Sequence, residues 1–174
     1  SADGKDFDYG WEQMRKLGTD LVDEHYYKSP EWFRSNAGRY DNYDRKGPKV
    51  FAGEYAAHAK HDPNSWEAAL SEAAFMTGLE RNADVVYQAT YAPLFAHVEG
   101  WQWRPDLIWF DNLTSVRSAN YYVQQLYGLN KGTHVLKLTE DGKAVEGKDG
   151  LYASACDDKR TKSYIVKIAN TSNE

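Results

Sequence analysis

Apolar and polar positions follow a mixed helix-and-strand rhythm over the first part of the chain and a pure strand rhythm after Gly128. Trp11, Met14 and Leu17 recur at helical spacing within FDYGWEQMRKLG and stop at Gly18, which predicts a short amphipathic helix with a glycine end. TDLVDEHYY reads as a strand from about Thr19 to Tyr27, closed by a Ser29-Pro30 turn. Residues 31–48 are polar and aromatic and read as a long excursion, and loops of such length usually serve function. KVFAGEYA predicts a second strand from Lys49 to Ala56. Asn64, placed before Glu67 as in a capping box, opens a helix over 65–82 with Trp66, Ala69, Leu70, Ala73 and Met76 on its apolar face. ADVVYQATYA supplies a third strand before Pro93. A last helix over 115–127 carries Val116, Ala119, Val123 and Leu126 and ends at Gly128. THVLKLTED, GLYASACD and KSYIVKIAN then follow as strands. In the last of these, Tyr164, Val166 and Ile168 predict the core face of a sheet whose other face is wet.

Strand–helix–strand order predicts parallel βα units, and the strand-only tail predicts antiparallel pairing. A closed (β/α)8 barrel takes roughly 250 residues. The 174 residues here therefore predict either a small open α/β sheet or a piece of a larger enzyme.

Composition narrows the function classes. The 26 acidic residues against 21 basic ones give a formal net charge of -5, and no basic cluster suits a nucleic-acid groove. The mean hydropathy is -0.77, and no apolar run approaches the roughly 20 residues of a membrane span. SADGKDFDYG lacks the apolar segment of a signal peptide, and the cellular compartment stays open. A lone Cys156 leaves no internal disulfide and no cysteine-based zinc site. Aromatic residues make up 14%, many beside polar positions, where they suit either a tyrosine-rich core or the stacking of flat hydroxylated ligands.

Chemistry is expected at the carboxyl ends of parallel strands. The period of two places Asp23, His25 and Tyr27 on one face of the first strand and Glu24 and Tyr26 on the other. Glu54 ends the second strand and shares a face with Ala52 and Ala56, small residues that leave room for a ligand. A carboxylate there is costly unless paired or functional, and both readings stand on the residues alone. Glu54, His58 and His61 match no zinc spacing, and G-x-S-x-G, P-loop and G-x-G-x-x-G motifs are missing from the sequence. Asn112 and Asn170 fit the N-glycosylation pattern, which matters only in a eukaryotic secretory pathway.

Five runs in register, TDLVDEHYYKSPEWF, YDRKGPKVFAGEYA, NSWEAALSEAAFMTGLERNADVV, YAPLF and WRPDLIWFDN, resemble the α-L-arabinofuranosidases of glycoside hydrolase family 51 over about residues 8–130. The resemblance implies an α/β fold, the later strands of a (β/α)8 barrel over 1–130 and the start of a β-sandwich over 131–174. It implies retaining hydrolysis of terminal arabinofuranosyl bonds in an arabinose-containing polysaccharide or oligosaccharide, without a cofactor or metal. Glu54 matches the family's nucleophile, His25 and Tyr27 its sugar subsite, and Trp103 and Asp106 fall over that subsite. The alternative for Trp101, Trp103 and Trp109 is packing at the junction of barrel and sandwich. The family's acid/base follows an asparagine on an earlier strand. Here the sole Asn-Glu is Asn173-Glu174, so the chain alone is expected to be close to inert. Two other readings remain: a related xylosidase or endoglucanase, and a non-catalytic sugar-binding module, which would have no use for Glu54. Uncovered strand edges further predict self-association into homo-oligomers.

Overall fold

The computed structural model describes residues 2–172; the Asn173-Glu174 pair lies outside them. Three of its four helices begin on a serine whose hydroxyl accepts a backbone N–H, which satisfies one of the donors every helix start leaves open. Helix α1 (Lys5–Leu17) is the exception. It has Asp6 and Asp8 in its first turn, Arg15 and Lys16 in its last, and Gly18 as its left-handed end, a sequence matched to the helix dipole.

Strand β1 (Leu21–Lys28) follows, then α2 (Pro30–Ser35), β2 (Lys49–Ala57), α3 (Trp66–Arg81) and β3 (Val86–Tyr91). The three strands form one parallel sheet in the order β1-β2-β3. Ser29-Pro30 is thus not a turn: Ser29 Oγ accepts from Trp32 N at 3.3 Å, and Pro30 occupies the first turn, where its missing N–H costs nothing. The cap of α3 is Ser65, bonded to Ala68 N at 3.2 Å, rather than Asn64.

Helix α3 is buried on more than one side, because it lies between the parallel sheet, α2, the last helix and the C-terminal sheet. Its buried positions are Ala68, Ala69, Ser71, Glu72 and the run Ala74–Leu79, while Trp66 is 71% exposed. The single apolar stripe expected from Trp66 to Met76 is therefore too narrow and begins on the wrong residue. Gly78 lets the Ala37 carbonyl lie directly against the helix; a Cβ there would collide with it.

Between β3 and the last helix run three short strands, β4 (Phe95–His97), β5 (Ile108–Phe110) and β6 (Ser115–Arg117), paired in that order. Helix α4 (Ala119–Leu129) starts at Ser118, which accepts from Tyr121 N at 3.2 Å. The first turn of the helix expected over 115–127 is thus strand β6, and Val116 and Leu126 are exposed.

The C-terminal part contains β7 (His134–Leu136), a small β8–β9 hairpin (Thr139–Glu140 and Lys143–Ala144), β10 (Leu151–Asp158) and β11 (Ser163–Asn170). β10 is antiparallel to both β11 and β7. The faces of β11 are the reverse of the expectation: Tyr164, Val166 and Ile168 are exposed, whereas Lys167 and Ala169 are buried. Lys167 reaches Glu80 of α3, lies 5.3 Å over the Tyr127 ring, and shares Glu80 with Ser154 Oγ at 2.5 Å. A paired lysine can be buried, and this one fixes which face of the sheet meets the helix. Among the described residues the sheets are small and none closes into a barrel.

Candidate active site

The two faces of the parallel sheet receive opposite sets of side chains. The helix-covered face takes Val22, Glu24 and Tyr26 of β1, with Val50, Ala52 and Tyr55 of β2, all buried. The open face takes Asp23, His25 and Tyr27. Glu54 joins them because the pairing slips by one residue between Glu24 and His25: Glu24 lies beside Ala52, but His25 lies beside Glu54. Gly53 is the extra residue of this bulge, a device that re-aims the side chain after it. Ala52 therefore does not share Glu54's face, although Ala56, in register with Tyr27, does.

Gly53 also explains its own identity. Its N–H donates to Asp23 Oδ1 at 3.2 Å, and a Cβ at this position would overlap that same oxygen. Its carbonyl accepts from Thr90 Oγ1 of β3 at 2.5 Å, so the bulge is tied to both neighbouring strands.

Around Glu54 the polar atoms form a short chain. Tyr27 donates its hydroxyl to Glu54 Oε2 at 2.7 Å, and His25 Nδ1 stands 3.4 Å from the same oxygen. The other ring nitrogen, Nε2, is 2.8 Å from Asp23 Oδ2. Both nitrogens face carboxylate oxygens, and a neutral imidazole can donate to only one of them. Burial and the Glu54 bond push the Tyr27 hydroxyl far above its ordinary range, so it stays a proton donor to the carboxylate. The Glu54 side chain is 43% exposed, and Oε1 has no hydrogen-bond partner among the described residues.

Glu54 opens into a cleft of about 490 Å³ lined by Tyr27, Glu54, His58, Pro93, Trp103 and Arg104. His58 packs its ring 5.4 Å from that of Tyr27, and burial holds its imidazole below the ordinary value. Trp103, 65% exposed, lines the cleft as a broad flat surface. Asp106 does not line it: the residue is buried, its N–H donates to Asn64 Oδ1 at 3.3 Å, and burial raises its carboxyl. Trp101 and Trp109 meet edge to face at 6.2 Å. The structure thus brings Glu54, His25, Tyr27 and Trp103 together and sets Asp106 apart. His58 and Arg104 line the cleft without having been candidates for it; their loop positions carry no periodic signal.

Comparison with known proteins places this geometry in context. Residues 36–172 match the family profile of the α-L-arabinofuranosidase C-terminal domain. The chain is 57% identical over 133 residues to an extracellular exo-α-L-arabinofuranosidase of Streptomyces chartreusis, a match over 76% of the chain and 16% of that protein. It is 40% identical over 151 residues to a probable α-L-arabinofuranosidase A of Aspergillus terreus, over 86% of the chain and 23% of the relative. The chain thus spans less than a quarter of the length of either. Among solved structures, the arabinose-bound MgGH51 α-L-arabinofuranosidase superposes with a TM-score of 0.79 at 35% identity, over 92% of the chain and 27% of that structure. The Thermotoga maritima α-L-arabinofuranosidase shares the fold, with a TM-score of 0.68 at 15% identity, over 93% of the chain and 40% of that structure.

Proposed function

The chain belongs to the α-L-arabinofuranosidases of glycoside hydrolase family 51, and on that premise we propose that it carries the nucleophile of a retaining glycosidase, Glu54. The parent enzyme releases terminal α-L-arabinofuranosyl groups from arabinose-containing polysaccharides or oligosaccharides. Residues 1–130 contribute the later strands of its barrel and residues 131–174 the start of its sandwich. The exposed Tyr164, Val166 and Ile168 give β11 an apolar outer face of the kind that packs against a second sheet in a sandwich. The observation that carries the reading is the bulge at Gly53, which turns a strand-end carboxylate onto the cleft, bonded by the Tyr27 hydroxyl and beside the His25 ring.

In the reaction, a lone pair of Glu54 attacks the anomeric carbon as the bond to the leaving oxygen breaks. That oxygen takes a proton from a second carboxyl group. The glycosyl ester is then attacked by water, whose proton returns to the second carboxylate, and Glu54 leaves as carboxylate. Tyr27 holds Oε2 in place, so that Oε1 is the attacking atom. His25 steadies the same carboxylate and is itself steadied by Asp23. Trp103 offers a face on which a sugar ring stacks.

The two carboxyl groups of a retaining enzyme stand about 5–5.5 Å apart. Asp23 is the other carboxylate of this open face, and both of its oxygens are engaged, by Gly53 N and by His25. It is poorly placed to serve as an acid, so the proton donor belongs to another part of the parent, and the 174-residue chain by itself turns over nothing.

The test is Glu54→Ala in the full-length protein. Turnover should collapse, and azide should restore part of it by filling the vacated space, giving an arabinofuranosyl azide of inverted configuration. Near-normal turnover without azide would overturn the assignment.

A further inference from the structure

Arg104 stands in the wall of the Glu54 cleft with its charge unspent. Its guanidinium carbon lies 4.6 Å from the ring centre of Trp101 and 4.8 Å from that of Trp109. The two indole planes stand 72° apart, so the guanidinium cannot lie flat on both, and its N–H groups donate no hydrogen bond among the described residues. Among the described residues Arg104 forms no ion pair. Asp106, which is buried, feels the arginine's charge without forming an ion pair with it. The residue is exposed, yet two indoles hold it in one place, so little side-chain freedom remains to be lost when a ligand binds.

The surroundings are hostile to an anion otherwise. Glu54 and Asp23 share the open face of the sheet, and the chain as a whole carries a formal charge of -5. A neutral sugar polymer needs no cation in such a cleft. A polymer with carboxylate groups does, since each would be repelled unless a fixed positive group met it.

We infer that Arg104 recognises a carboxylate on the leaving-group side of the substrate, so that the site prefers arabinofuranosyl groups borne on polysaccharides rich in uronic acids. This deepens the glycosidase reading of the Glu54 cleft and rests on it. The planar fork of the arginine can engage both oxygens of a uronate at once, and Trp103 stacks the sugar ring beside it. The preference acts on binding of the leaving group and adds no step to the chemistry.

The test uses the full-length protein and an arabinofuranosylated xylo-oligosaccharide with a glucuronic acid on a neighbouring sugar. Its control is the same oligosaccharide after reduction of the carboxyl group to a hydroxymethyl group. The wild type should show kcat/KM about tenfold higher on the acidic form, the size of one charge-assisted hydrogen-bonded contact. Arg104→Gln should bring that ratio to about one, and Arg104→Lys should keep part of it because the charge survives without the fork. Added salt should erode the wild-type ratio, a reading that needs no variant. Equal rates on the two substrates in the wild type, or a ratio unmoved in Arg104→Gln, would overturn the inference while leaving the glycosidase reading intact. Failure of the wild type to cleave either oligosaccharide would overturn the inference alone if 4-nitrophenyl α-L-arabinofuranoside is still cleaved, and the glycosidase reading with it if that simple substrate is not cleaved either.

Discussion

Glu24 and Glu54 are two carboxylates on adjacent strands of one sheet, and they lead opposite lives. Glu24 is 1% exposed on the helix-covered face and receives five donors. Trp11 Nε1 at 2.8 Å and Tyr43 at 3.0 Å bond Oε1, while Tyr26, Tyr40 at 2.9 Å and Arg39 Nε at 3.4 Å bond Oε2. Arg39 is in turn stacked among Phe7, Tyr26 and Trp32, so its charge is buried with the glutamate it balances. Glu54 has one close donor, a histidine at longer range, a free oxygen and an open cleft. The difference teaches that donors decide a carboxylate's role. A group saturated on both oxygens has no lone pair or space left to attack anything, and its value is to hold Trp11 and the 40–43 segment onto the sheet. A group held by one oxygen is oriented yet still reactive.

Exchanging glutamine for each glutamate is the strongest test of that contrast. Glu54→Gln in the parent should cut kcat/KM by at least about a thousandfold, since the amide cannot act as nucleophile. Its melting temperature should barely move, because the side chain is half exposed and its pairings are of the surface kind. Glu24→Gln should do the reverse. It leaves Arg39 buried without its counter-charge and costs about 3–5 kcal/mol of stability, read from denaturant midpoints. Turnover per folded molecule should be close to normal. A Glu24 variant that is stable but inactive would break the comparison.

A smaller effect belongs to Tyr27. Tyr27→Phe keeps the ring beside His58 and removes the 2.7 Å bond to Glu54, which should cost about 1.5–3 kcal/mol of transition-state stabilisation. An unchanged kcat/KM would mean that Tyr27 only packs.

The smallest effect sharpens the contrast with a third carboxyl group. Glu72 is buried behind β2, where it accepts from Ala57 N at 2.8 Å, and burial pushes it up to about 8. Its folded value is raised above the ordinary 4.5, so its contribution to stability is complete below about 4.5 and is lost as pH rises through about 8. Glu72→Gln should therefore flatten the fall in melting temperature between those pH values. An unchanged slope would contradict a neutral buried Glu72.

Much of this arrangement was legible in the sequence, and the failures have physical causes. The period of two correctly separated Asp23, His25 and Tyr27 from Glu24 and Tyr26, and the parallel order of the strands follows from their spacing. The same period misplaced Ala52 relative to Glu54 because a bulge inserts a residue without changing composition; Gly53 was the available clue. The Glu24 network was invisible because Arg39, Tyr40 and Tyr43 lie in a non-periodic segment whose purpose emerges only when it folds over the sheet. β11 was inverted because alternation reveals two faces without telling which is buried, and the Glu80–Lys167 pair selects the one that carries the lysine. Asp106 sits in an aromatic run that suggested a sugar contact, yet the residue is buried and does not line the cleft; its backbone N–H bonds Asn64.

The central claim is that Glu54, and no other carboxylate of this chain, becomes covalently joined to the sugar. Rapid acid quenching of the full-length enzyme during turnover, followed by peptide mass spectrometry, tests it directly. The account predicts one arabinofuranosyl ester, on the peptide that contains Glu54, appearing within the first turnover and vanishing as substrate is exhausted. A modified peptide containing Asp23 or Glu24 instead, or products of inverted configuration with no ester at any time, would contradict it.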